Sequence, residues 1–125
     1  VITKRPSDGK WVVLVASGAA CDDSCERRLY ATRQMRTMQG KDRERVVRVW
    51  LVTDASAPRA ATLAQHPDLV VVAADARSAS RLPKGAEAIY LVDPLGNQVR
   101  AWPERPDIRA MAKDVSKLLR TSRIG

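Results

Sequence analysis

The chain has 125 residues, 45% of them hydrophobic and 29% charged, which suits one domain with a single core over residues 1–125. Its formal charge is +8, which points to an anionic partner: an acidic protein, an anionic lipid surface or nucleic acid. No apolar run approaches the roughly 20 residues that span a membrane. Aromatic residues, at 4%, do not interleave with cations as they do on single-strand nucleic-acid platforms, so nucleic acid is the least favoured of the three.

Phe is absent, so the core must come from Val, Leu, Ile, Ala, Met and Trp. Trp11–Ala16 is the first apolar run and predicts a strand. After the small-residue link Ala16-Ser17-Gly18-Ala19, a helix is expected from Asp22 to about Gln39. Leu29, Ala31, Met35 and Met38 form its apolar face, Asp22, Asp23 and Glu26 suit the positive end of its dipole, and Gly40 stops it. Basic residues are densest from Arg27 to Arg48, interrupted by acids, and read as a solvated face.

Val46–Val52 predicts the second strand, Pro58 to Gln65 a short helix, and Leu69–Ala73 and Ala88–Val92 two further strands. The near-continuous Val/Ile/Leu content of these runs is that of central strands covered on both faces. Asp93-Pro94-Leu95-Gly96-Asn97 signals a turn, and the alternating Val99–Trp102 completes an antiparallel hairpin. After Pro103 and Pro106, Ile108, Met111, Ala112, Val115, Leu118 and Leu119 recur at helical spacing. Val1–Asp8 and Thr121–Gly125 read as loose ends. The order β-α-β-α-β-loop-β-β-α implies a three-layer α/β/α sandwich around a central mixed sheet.

The only two cysteines, Cys21 and Cys25, fall where the first strand gives way to the first helix. Four residues apart on a helix, Cβ atoms lie about 5–6 Å apart, more than the roughly 3.5–4.5 Å of a disulfide. With Cys21 just before the helix the gap can close, so an open dithiol and a disulfide are both accessible. The helix N-terminus, Arg27 and Arg28 favour a thiolate, whereas Asp22, Asp23 and Glu26 oppose it. Soft thiolates select Cu(I) or Zn(II), and zinc needs four ligands. An inert cross-link over so short a loop would constrain little of the unfolded chain.

A dithiol after the first core strand, followed by a terminal hairpin and helix, resembles the thioredoxin fold. More narrowly, the chain resembles the Sco-type proteins of cytochrome oxidase copper-site assembly. The resemblance rests on Gly9-Lys10-Trp11-Val12-Val13-Leu14-Val15, on Cys21-x-x-x-Cys25, on Val52-Thr53-Asp54 and on Ile89-Tyr90-Leu91-Val92-Asp93-Pro94-Leu95-Gly96. It implies that Cys21 and Cys25 are copper ligands or a redox pair, with Cys21 the exposed, attacking sulfur and Cys25 the resolving one. It also implies a protein partner, such as an oxidase subunit or a copper or thiol protein. The location it implies is the periplasmic side of a bacterial inner membrane, with this chain a soluble piece of an anchored protein.

The family's histidine ligand is not matched: Gly85 stands in its place, in Leu82-Pro83-Lys84-Gly85-Ala86-Glu87-Ala88. Arg81 and Lys84 make that loop basic, and folded over the dithiol it would stabilise thiolates. The sole histidine, His66, is expected as a surface or capping residue at the other end of the sheet. Met35 and Met38 are expected to pack in the core. The leading reading is thiol–disulfide exchange, beside Cu(I) carriage on the same cysteines and a non-catalytic docking module with a basic face.

Overall fold

Val-rich, β-branched runs pair here into one five-stranded sheet. The computed structural model describes residues 9–74 and 82–122. Among them the strands are β1 (Trp11–Ser17), β2 (Val46–Val52), β3 (Val70–Ala73), β4 (Ile89–Val92) and β5 (Gln98–Trp102). The helices are α1 (Asp23–Thr37), α2 (Ala60–Ala64) and α3 (Ile108–Thr121), and a 3-10 turn covers Gly40–Arg45. The spatial order is β3-β2-β1-β4-β5. β1 runs parallel to β2, β2 parallel to β3, and β1–β4 and β4–β5 are antiparallel. This is a mixed sheet of thioredoxin-like topology, as the sequence order implied.

Strand alternation sends Val13, Val15, Val46, Trp50, Ile89 and Leu91 into one core with Leu29 and Met35 of α1 and Met111, Val115 and Leu119 of α3. All three Trp residues are buried, filling the volume that Phe would otherwise supply. The hairpin closes as expected: Asp93 N–H donates to Asn97 O at 2.8 Å, and Asp93 Oδ1 accepts from the N–H groups of Leu95 and Asn97. Gly96 there takes a positive φ of 91°, which glycine adopts without steric cost.

The structure corrects several expectations. β3 is an edge strand, not a central one, with Val71 and Val72 exposed. Met38 lies just past α1 and is half exposed, whereas Met35 is fully buried. α3 extends through Thr121, while Val1–Asp8 and Arg81 lie outside the described residues.

The largest correction concerns charge. Arg28 and Arg48, in the run read as a solvated face, are 3% and 1% exposed. Arg48 projects from β2 against α1, where its guanidinium donates to Leu29 O at 2.7 Å and Asp68 Oδ1 at 3.0 Å. It also donates to Thr32 Oγ1 at 3.3 Å and meets His66 Nδ1 at 3.1 Å. Each of the three guanidinium nitrogens thus meets an acceptor, as a buried guanidinium requires. Burial lowers the Arg48 pKa to about 10 against the opposing pull of Asp68, so the group stays charged at neutral pH.

His66 is therefore a buried partner of Arg48, not a surface residue. Arginine has no acceptor, so Nδ1 must be the acceptor and the ring neutral. Burial first, then the charges of Arg48 and Arg33, push the His66 pKa down to about 4. An unfolded histidine takes its proton near pH 6.5. Below that value the unfolded chain gains the extra proton, so stability is complete above about pH 6.5 and falls until about pH 4. Urea unfolding at about pH 4.5 against pH 7 should show wild type losing roughly 2–3 kcal/mol more than His66→Gln. Equal losses in the two proteins would clear His66 of this role.

Candidate functional site

The site is built where β1 ends. Ser17 O accepts from Thr53 N–H at 3.0 Å, and the chain then turns so that Cys21 N–H bonds Gly18 O at 3.1 Å. Asp54, from the link after β2, accepts from Ala19 N–H at 3.2 Å. A Cβ on Gly18 would lie 2.7 Å from Asp54 Oδ2, so a larger residue would push that carboxylate from its place. Arg59 donates to Ala20 O at 2.8 Å. Ser17, Ala19 and Ala20, all shortly before Cys21, are thus held by the β2–α2 connection.

Cys21 itself adopts φ 49°, the left-handed region that costs a non-glycine residue roughly 1–2 kcal/mol. Asp22 caps α1, its side chain accepting from Cys25 N–H at 2.9 Å. Cys21 therefore precedes the cap, and Cys25 is the third residue inside the helix. This offset brings their Cα atoms to 4.9 Å, and the two sulfurs are joined as a disulfide. The expectation of an exposed Cys21 is corrected: Cys21 is 4% exposed and Cys25 0%.

The next turn of α1 carries Arg28, whose Nη1 donates to Ala16 O at 2.9 Å and Ala86 O at 2.8 Å. Its Nε donates to Ser24 O at 3.2 Å. One guanidinium thus joins the end of β1, the cysteine turn and the 82–88 connection. Burial lowers its pKa, while Asp22, Glu104 and Glu87 pull it back. Arg28 serves carbonyls here, not a thiolate. Ser24 Oγ donates to Glu104 Oε2 at 2.7 Å, and Arg27 faces Glu104 at 3.9 Å. Beside this contact opens a groove of about 530 Å³, lined by Lys84, Glu87, Ala88, Trp102, Pro103 and Glu104 among others.

Gly85 has φ 84°, and its carbonyl accepts from the buried Tyr90 hydroxyl at 2.7 Å while Lys84 N–H donates to that hydroxyl. His66 is committed to Arg48 and takes no part. Met35 lies ten residues along α1 from Cys25, about 15 Å at helical rise, so neither it nor Met38 joins the pair. The donors that the reduced site would offer a soft ion are the two thiolate sulfurs, a set that fits Cu(I) in kind. Among the described residues no group of three or more His, Cys, Asp or Glu is placed to hold a metal, and no helix is long and apolar enough to cross a membrane.

Asp54, Arg59 and Glu104 are not singled out by sequence as parts of the site, and Arg28 reads there as favouring a thiolate, not as a buried tie between carbonyls. For Arg28 a signal existed: Cys25, Arg28, Leu29, Thr32 and Met35 follow the buried stripe of α1. Asp54 and Glu104 reach the site only through tertiary structure.

The family model described as transmembrane-like, thioredoxin-like, C-terminal domain matches residues 11–122. The chain belongs to that family. No curated protein matches it. Among solved structures, yeast Sco1 with copper bound superimposes with a TM-score of 0.76 at 18% identity, over 92% of this chain and 81% of that one. ScoI of Bradyrhizobium japonicum with copper bound gives 0.68 at 18% identity, over 88% and 85%. The thioredoxin domain of a Bacteroides vulgatus thiol-disulfide oxidoreductase gives 0.58 at 20% identity, over 89% and 80%. At these identities the likeness is one of fold.

Asp22 has two separable roles, cap and charge. Asn caps as well as Asp does, and Ala costs about 1 kcal/mol. Asp22→Asn should therefore keep the urea midpoint of wild type, while Asp22→Ala lowers stability by that amount. Removing the negative charge beside the sulfurs favours thiolates, so Asp22→Asn should also raise the reduction potential of the pair by roughly 10–20 mV. An unchanged potential would show that the carboxylate does not tune the sulfurs.

Proposed function

We propose that the chain is a Sco-like protein of cytochrome oxidase assembly that acts by thiol–disulfide exchange through Cys21 and Cys25. The observation that carries the proposal is the closed Cys21–Cys25 disulfide at the N-terminus of α1. The likeness in fold to copper-bound Sco proteins and to a thiol-disulfide oxidoreductase supports it. The working side is the periplasmic face of a bacterial inner membrane, and the partner is a protein whose own cysteines form a metal site.

In the reduced protein the Cys21 thiolate attacks one sulfur of the partner's disulfide. That S–S bond breaks, a Cys21–partner bond forms, and the partner's second sulfur leaves as thiolate. Cys25, as thiolate, then attacks Cys21 Sγ and releases the partner's first sulfur. Two electrons pass to the partner, and this chain is left in the disulfide state described above. An external thiol returns it to the dithiol. The low exposure of Cys21 makes the sulfur selective for a partner that reaches into the β1–α1 turn.

A second reading, Cu(I) carriage, is favoured by the copper bound in the yeast and Bradyrhizobium structures. In it Cys21 and Cys25 hold the ion as cargo, and the receiving partner supplies the third donor.

Trapping separates the two. Cys25→Ala leaves Cys21 without a resolving partner and should accumulate a mixed disulfide with a peptide disulfide substrate, visible as added mass. Cys21→Ala should accumulate none. Titration of the reduced protein with Cu(I) against a competing chelator should show weak binding. Tight one-to-one Cu(I) binding, lost in both variants and without trapped adduct, would favour carriage instead.

A further inference from the structure

The outer face of α3 is cationic along its whole length. Arg109, Lys113, Lys117 and Arg120 are all exposed, and their spacing places them within one arc of about 80°. Met111, Ala112, Val115 and Leu119 point the opposite way, into the core. The stripe is about 16 Å long at helical rise.

No acid answers it. Asp107 caps α3 by accepting from Ala110 N–H at 3.0 Å, Asp114 is held by Arg100 and by Trp102 Nε1–H, and Glu104 faces Ser24 and Arg27. Among the described residues none of the four cations has an ion-pair partner. Like charges four residues apart destabilise a helix, so the arrangement does not serve folding.

The chemistry of the stripe narrows its partner. It contains no aromatic, Met or aliphatic side chain, whereas protein interfaces draw affinity from desolvated anchors of those kinds and keep charge at the rim. It also offers no stacking face for a nucleic-acid base. A planar anionic field needs neither anchor nor stack, only cations on a convex, single-signed face.

We propose that α3 docks this domain on an anionic phospholipid surface, held electrostatically and without insertion. Glu104, five residues before Arg109, bonds Ser24 in the cysteine turn, so the stripe starts at the end of the fold that carries the disulfide. Docked on α3, the domain keeps the β1–α1 turn beside the lipid surface and open to a membrane-bound partner. The docking itself is independent of whether that turn exchanges disulfides or carries copper.

Sedimentation with phosphatidylcholine vesicles carrying about 30% phosphatidylglycerol tests it. Binding should be clear at about 0.1 M salt and lost near 1 M, where charges are screened within about 3 Å, and absent on phosphatidylcholine alone. At about fivefold per cation, Arg109→Gln, Lys113→Gln, Lys117→Gln and Arg120→Gln together should weaken binding at least a hundredfold. An unchanged urea midpoint would show that the fold is kept, and the salt and lipid dependence of wild type needs no variant. Absent binding at low salt, equal binding to both vesicles, or unchanged binding by the quadruple variant overturns the proposal. Tighter capture by duplex DNA than by the vesicles at equal salt overturns it in favour of a nucleic-acid surface.

Discussion

A single buried guanidinium holds the candidate site together. Arg28 bonds carbonyls of Ala16, Ser24 and Ala86, and so fixes the end of β1, the first turn of α1 and the approach to β4 against one another. Cys21 lies between the first two of those anchors, and Cys25 directly follows the second. Their disulfide requires Cys21 to sit outside the helix in a left-handed conformation, a strained geometry that persists only where its surroundings over-determine it. Arg28 from within the site, and Asp54 and Arg59 from the β2–α2 connection, provide that constraint.

Arg48 repeats the device one layer deeper, between β2 and α1, with Asp68 and a neutral His66 as its partners. Removing one member of such a buried charged network costs about 3–5 kcal/mol, because the others are left uncompensated. The two arginines lock α1 onto the sheet in one register, which a purely apolar contact between Val-rich strands and a helix would set less sharply. That rigidity matters at the cysteines, where a small shift of α1 would separate the sulfurs. At the pair itself, Asp22, Asp23 and Glu26 oppose thiolate formation while the helix N-terminus favours it.

Most of the fold is legible in the sequence. The Val-rich runs mark β1, β2 and β4 to within a residue, the Asp93–Asn97 turn marks the hairpin, and the spacing of Met111, Val115 and Leu119 marks α3. Strand order is not written in local pattern, which is why the apolar β3 reads as central although it lies at an edge. The cysteine pair and its position before and inside the helix are equally legible. Buried arginine is not, because a guanidinium in a charged stretch looks solvated until the carbonyls it serves are brought together. Arg48 did carry a warning, being the one charged residue inside the apolar run Val46–Val52. Nothing local marks Gly18 as the residue that lies against Asp54, 36 positions away by residue number.

The central claim is that Cys21–Cys25 is a working redox pair and not a fixed cross-link. The most direct test is its equilibrium reduction potential, read by mass after alkylation across a series of glutathione or dithiothreitol buffers. The account predicts a reversible two-electron couple between about −270 and −120 mV, the range of exchange proteins. A value below about −300 mV, where structural disulfides resist reduction by the glutathione pool, would contradict it.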